Sequence, residues 1–93
     1  MKMHINTVAK KVGCSVSSIH VYIAKLSHIT VSKGVCYGIT QQDIDDLFEF
    51  YYLRLKSSKS NLITEQMQKR YDKIVTNRKA KIIKKIEQYL QYL

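Results

Sequence analysis

The chain has 93 residues, a net charge of +9 and two cysteines. This length allows one compact domain, or a smaller head with an extension, and two cysteines are too few for a disulfide framework. The apolar runs are too short for a membrane span or a signal peptide, so we expect a cytoplasmic protein. The excess of cations indicates a polyanionic partner.

The basic residues are concentrated at the two ends of the chain. Residues 1–33 contain five lysines and no acid, and the first acid is Asp43. Residues 34–61 hold three cations and four acids, whereas residues 62–93 hold eight cations and three acids. Two basic segments therefore flank a near-neutral middle.

A first short helix is predicted over residues 6–12, from apolar residues at helical spacing. Asn6 or Thr7 is its expected N-cap, because both side chains can accept a backbone hydrogen bond. Gly13 should end this helix, since glycine accepts the left-handed conformation found there.

A second helix should follow at once, with Ser15 or Ser17 as its N-cap. Ile19, Ile23 and Leu26 form its apolar stripe. Its opposite face is small, polar and basic. Two short helices around a tight turn are the frame of a helix-turn-helix, although any helical corner could look the same.

A β-hairpin is predicted over residues 29–40, where β-branched residues lie on both sides of Lys33 and Gly34. Thr40 is the expected N-cap of a third helix, with Asp43 three residues later. The apolar stripe of that helix is Ile44, Leu47, Phe48, Tyr51 and Leu55.

Residues 57–61 break the helical pattern and form the expected linker between a head, residues 1–56, and a basic helix, residues 62–93. The stripe of this helix skips at Arg78. Such a stripe would lie in water on a lone helix, so we expect it to pair with a second copy. The predicted dimerisation residues are Met67, Tyr71, Ile74, Ile82, Ile86, Tyr89 and Leu93.

Three groups of residues match the pattern of a known family. They are Ala9, Gly13, Cys14 and Ser15 at the helical turn; Ile19, His20 and Tyr22 in the second helix; and Tyr37, Ile39, Thr40, Asp43, Ile44 and Leu47 after the hairpin. Over residues 5–55 they resemble the MerR and excisionase superfamily of winged helix-turn-helix domains. His20 replaces the usual arginine, and the cysteine cluster and ligand domain of metal- and drug-sensing members are missing.

The resemblance implies a mainly α fold with a small β-hairpin, in which a winged helix-turn-helix head precedes a long C-terminal helix. The second helix would enter the DNA major groove, while lysines around it contact the backbone. The predicted DNA-binding residues are Lys10, Lys11, Ser17, Ser18, His20, Val21, Tyr22, Lys25, Lys33 and Tyr37. The alternative is an ordinary solvated helix face.

We therefore expect a homodimer that binds double-stranded DNA, as a small transcriptional regulator or a plasmid-partition protein associated with the nucleoid or a plasmid. One alternative is an adaptor whose C-terminal helix recruits a protein such as a partition ATPase or a filament. Another is a basic amphipathic helix on an anionic membrane, which we do not favour. We expect no metal, cofactor or enzymatic activity, because His4, His20 and His28 lack ligand spacing and the sequence shows no catalytic arrangement.

Overall fold

A computed structural model describes residues 1–91, which are mainly helical with a three-stranded antiparallel sheet and a long C-terminal helix. The elements are β1 Lys2–His4, α1 Ile5–Val12, α2 Val16–Ile23, β2 Thr30–Ser32, β3 Val35–Tyr37, α3 Gln41–Ser57 and α4 Glu65–Gln91. Met1–Ser60 forms one compact unit, the N-terminal unit. The C-terminal unit begins at Asn61 and is described through residue 91.

The first helix begins one residue earlier than predicted, because the capping group is different. His4 is the N-cap, and its Nδ1 accepts a hydrogen bond of 3.1 Å from the backbone N–H of Asn6. The predicted caps Asn6 and Thr7 are therefore wrong. The end of the helix is confirmed: Gly13 has a φ of 93°, and its N–H donates to the carbonyl of Ala9 at 2.8 Å.

One of the two predicted N-caps of the second helix is confirmed. The Oγ of Ser15 accepts a hydrogen bond of 3.2 Å from the backbone N–H of Ser18, so Ser15 and not Ser17 is the N-cap. Ile19 and Ile23 are buried, as the stripe predicts, whereas Leu26 lies beyond the end of the helix and is half-buried.

The predicted hairpin is confirmed as β2 and β3, and β3 is also the central strand of the sheet. Lys33 and Gly34 both have positive φ, 49° and 77°, as in the turns whose twist matches that of a hairpin. The strand β1 was not predicted, since its three residues carry no β-branched pattern. Its last residue, His4, lies so close to the turn that a Cβ on Gly34 would be 3.1 Å from the imidazole.

The capping box at the start of α3 is confirmed. Thr40 Oγ1 accepts from the backbone N–H of Asp43, and the Asp43 carboxylate accepts from the N–H of Thr40 at 2.8 Å and from the ring of His28 at 2.8 Å. Asp43 is only 4% exposed. Burial alone raises the pKa of this carboxyl, but the hydrogen bonds from Thr40 and His28 outweigh burial, so its pKa lies below the ordinary value.

The core of the N-terminal unit lies where α1 packs against α2 and α3, and α2 also contacts α3. Ile44, Leu47 and Phe48 of the predicted α3 stripe are buried, but Tyr51 and Leu55 are half-buried. Tyr52 is buried in their place, with its ring 6.1 Å from that of Phe48.

Both cysteines are free thiols. Cys36 is buried in the central strand, and Cys14 is half-buried in the turn between α1 and α2. Burial raises the pKa of each thiol, which lowers the reactive thiolate fraction at neutral pH.

The C-terminal helix begins at Glu65, three residues later than predicted. Thr64 explains this start, because its Oγ1 accepts a hydrogen bond of 3.2 Å from the backbone N–H of Met67. Residues 58–64 separate α3 from α4. None of the helices in residues 1–91 contains a segment that is both long and apolar enough to cross a membrane.

Candidate nucleic-acid interface

One face of α2 is exposed and carries small, polar side chains. Ser17, His20, Val21 and Ala24 are exposed, and their spacing of three and four residues places them on the same side of the helix. The opposite side is anchored in the core by Ile19 and Ile23. The helix thus presents a narrow surface that is free of large or acidic side chains.

Tyr22, one of the predicted DNA-binding residues, is buried. The residue is only 3% exposed, and its ring centroid lies 6.3 Å from that of Phe50. It falls three residues after Ile19 and therefore belongs to the buried side of α2. A tyrosine combines a large apolar body with a polar tip, so its type alone did not reveal which side it occupies.

Ser18 is half-buried and takes part in the cap of α2. In addition to its backbone bond, its hydroxyl accepts a hydrogen bond of 3.1 Å from the Oγ of Ser15. Its hydroxyl is therefore less available for a base edge than the exposed side chains of Ser17 and His20.

The predicted lysines are all exposed, and they lie on three different segments of the N-terminal unit. Lys10 and Lys11 are in the last turn of α1, Lys25 follows the end of α2, and Lys33 lies in the hairpin turn. Tyr37 is an exposed residue of the central strand β3. The Nζ of Lys25 is 5.6 Å from the ring centroid of Phe50, within the range of a cation–π contact.

The acids of the N-terminal unit are confined to one helix, so the lysines of residues 1–40 have no acidic neighbour in that segment. All acids of this unit fall in α3, and the first of them, Asp43, is buried against Thr40 and His28. The next two carboxylates each accept a hydrogen bond from a glutamine four residues earlier, Gln41 for Asp45 and Gln42 for Asp46. The segment before α3 is therefore uniformly cationic.

Two of the three histidines already have structural partners. His4 caps α1, and His28 binds the carboxylate of Asp43, whereas His20 is exposed on α2. Within residues 1–91, no group of three His, Cys, Asp or Glu side chains is arranged to hold a metal ion.

The predicted dimerisation residues fall into two sets along α4. Met67 and Tyr71 are half-buried and Ile74 is only 7% exposed, whereas residues 79–91 are exposed throughout. Three predicted residues, Ile82, Ile86 and Tyr89, lie in this exposed segment, and Leu93 lies outside the described residues.

Two further apolar residues of the same segment, Ile83 and Leu90, are also exposed. They adjoin Ile82 and Ile86 on the helix surface and widen the apolar face. A stripe of one apolar residue every three or four positions does not include them, although both side chains are apolar.

Comparisons of the chain with protein-family models, curated proteins and solved structures found no match.

Proposed function

We propose that this chain binds double-stranded DNA sequence-specifically. Its head would be a winged helix-turn-helix in which α2 is the recognition helix. The exposed face of Ser17, His20 and Val21 supports this proposal most strongly. A helix fits the major groove, and this one is fixed by buried isoleucines within a segment that contains lysines and no acids.

The chemistry of that face suits the reading of base edges. A serine hydroxyl or an imidazole can donate or accept a hydrogen bond at a base, and a valine can contact the methyl group of thymine. Lys10, Lys11, Lys25 and Lys33 would bind phosphates and fix the register without reading sequence. In this arrangement the β2–β3 hairpin is the wing, with Lys33 at its tip.

We further propose that two copies associate through the exposed segment of α4, residues 79–91. Its apolar face would otherwise lie in water, and a second copy would bury the apolar side chains Ile82, Ile83, Ile86, Tyr89 and Leu90. Two heads could then bind half-sites about one helical turn apart. Such a dimer could act as a small transcriptional regulator or as a centromere-binding protein in plasmid partition.

The test of sequence-specific binding uses the full chain and fluorescence anisotropy at near-physiological salt. One duplex is the DNA upstream of its own coding sequence, and the other is a random duplex of the same length. We expect a preference of about a thousandfold for the upstream DNA. Equal and steeply salt-dependent binding to both duplexes would contradict specific readout and favour the adaptor function.

Three substitutions separate base reading from phosphate contacts. His20→Ala should lower the preference for the specific duplex by about tenfold, because one base contact is lost. Lys25→Ala and Lys33→Glu should weaken binding to both duplexes and reduce its salt dependence. Lys56→Ala, an exposed lysine of α3, is the matched control, and an equal effect of that change would place the binding surface elsewhere.

The dimer is tested by the double change Ile82→Asp and Ile86→Asp. Sedimentation should show monomers, because four carboxylates would be buried in the paired stripe. Gln88→Asp with Gln91→Asp adds the same charge to the polar side of the helix and should leave the dimer intact. A dimer that persists in the isoleucine variant would move the interface away from this segment.

A further inference from the structure

A shallow groove of about 580 Å³ lies between α2 and α3 in the N-terminal unit. Its lining residues are Val21, Tyr22, Lys25, Phe50, Leu53 and Arg54. Three of them, all on α3, were not among the functional residues predicted from the sequence, because their apolar and basic types fit an ordinary helix surface. The groove exists only because the fold places the two helices side by side.

The apolar part of the groove is formed by Val21, Phe50 and Leu53, above the buried ring of Tyr22. The rings of Tyr22 and Phe50 are 6.3 Å apart and tilted by 44°. Val21 is 54% exposed and Leu53 is 42% exposed, so the chain itself leaves much of their surface in water. An occupant with large apolar side chains would bury that surface.

The charged part of the groove is entirely cationic. Lys25 and Arg54 both line it, and no carboxylate is among the described lining residues. The ammonium of Lys25 lies over the face of Phe50, which holds a positive charge beside the apolar surface. The groove therefore combines apolar burial with the recognition of an anion.

We propose that the groove binds an acidic segment of another protein, in which carboxylates flank one or two large apolar side chains. An amphipathic helix in a groove between helices is a common form of such recognition. The proposal goes beyond DNA binding and does not require it. Val21 and Lys25 belong both to the groove and to the proposed DNA surface, so a bound peptide and a bound duplex would compete for them.

Two other occupants match the groove less well. The exposed apolar segment of a second copy's α4 carries Lys79, Lys81, Lys84 and Lys85, so its charge has the same sign as that of the groove. DNA phosphates would suit Lys25 and Arg54, but would leave the apolar surface around Leu53 without a partner. An acidic, apolar protein segment satisfies both parts.

The experiment is a selection from a phage-displayed library of random peptides of about 16 residues, enough for a helix of roughly 24 Å. The full chain is the target, and counter-selection uses the Leu53→Gln variant. We expect acidic peptides with large apolar residues to be enriched. The strongest peptide is then synthesised, and its affinity is measured by fluorescence anisotropy.

Leu53→Gln and Arg54→Gln should each lower the affinity for that peptide by about tenfold or more, as expected for central contacts of an interface. Leu62→Gln and Lys56→Gln are matched controls outside the groove and should leave its affinity unchanged. Circular dichroism of all four variants checks that the fold is retained. Peptides that bind the wild type and Leu53→Gln equally, or that are basic, would overturn the proposal.

DNA binding distinguishes this proposal from the proposed function. Leu53→Gln should keep the wild-type affinity for the upstream duplex, since Leu53 is not among the proposed DNA contacts. A comparable loss of DNA affinity would assign the groove to the DNA interface and overturn the peptide proposal. If acidic peptides bind while the upstream duplex is not preferred, the groove proposal stands and specific DNA binding fails.

Discussion

The N-terminal unit and the C-terminal helix bury their apolar side chains to very different extents. Within residues 1–91, every buried apolar residue except Ile74 lies in Met1–Ser60. The last part of α4 leaves five large apolar side chains between 53% and 67% exposed. Both regions show helical periodicity in the sequence, so periodicity predicts an apolar face but does not reveal what covers it.

The largest effect should come from the core of the N-terminal unit. Leu47→Ala should lower the free energy of unfolding by about 2–5 kcal/mol, because Leu47 is fully buried and its loss leaves a cavity. Ile86→Ala, at the exposed surface of α4, should change it by less than about 0.5 kcal/mol when the chain is monomeric. Denaturant titrations at two protein concentrations measure both.

The concentration dependence sharpens that comparison. If Ile86→Ala lowers the free energy of unfolding more at higher protein concentration, a second copy covers this face. A large cost that is independent of concentration would instead show burial within one chain, and the contrast between the two regions would no longer hold.

A smaller effect is expected from the buried carboxylate of Asp43. Asp43→Asn should cost about 1–3 kcal/mol at neutral pH, because the charged acceptor of Thr40 and His28 is lost. The comparison in the C-terminal unit is Glu65→Gln, which removes an exposed ion pair with Lys69 and should have no measurable effect. Thermal and denaturant unfolding of the two variants provide the measurement.

The Asp43 effect should depend on pH in a defined direction. Because the folded state lowers the pKa of this carboxyl, its charged form stabilises the fold above the ordinary aspartate pKa of about 4. This contribution is lost as the pH falls through the lower, folded value. The difference in free energy of unfolding between wild type and Asp43→Asn should therefore persist at pH 5–7 and vanish in acid. A difference that grows below pH 4 would contradict this assignment.

The smallest effect concerns two lysines with left-handed backbone, Lys33 in the hairpin turn and Lys59 after α3. Asparagine tolerates positive φ better than lysine, so each Lys→Asn change should stabilise the protein by a few tenths of a kcal/mol. Only Lys33→Asn should also weaken DNA binding, because it removes the proposed phosphate contact. Equal DNA affinities of the two variants would show that the hairpin is not part of the DNA-binding surface.

The local elements were predictable because their signals lie within a few residues of one another. The caps formed by Gly13, by Ser15 and by Thr40 with Asp43 each satisfy backbone groups of their own segment. Lys33 and Gly34 have the positive φ that the hairpin turn requires. The start of α1 was predicted wrongly because His4 is an unusual cap. The position of His4 at the end of β1, beside the hairpin turn, depends on a strand pairing across some thirty residues.

Amino-acid order alone determined the helices, the hairpin, the uneven charge and the apolar stripe of α4, since these follow from propensity and periodicity. Tertiary packing decided which tyrosines are buried: Tyr22 and Tyr52 are, whereas Tyr51 is not, because the position of a neighbouring helix determines which side of a helix is covered. Packing also joined α2 and α3 into the cationic groove. No local pattern contains that groove, because its two walls are more than twenty residues apart in the chain.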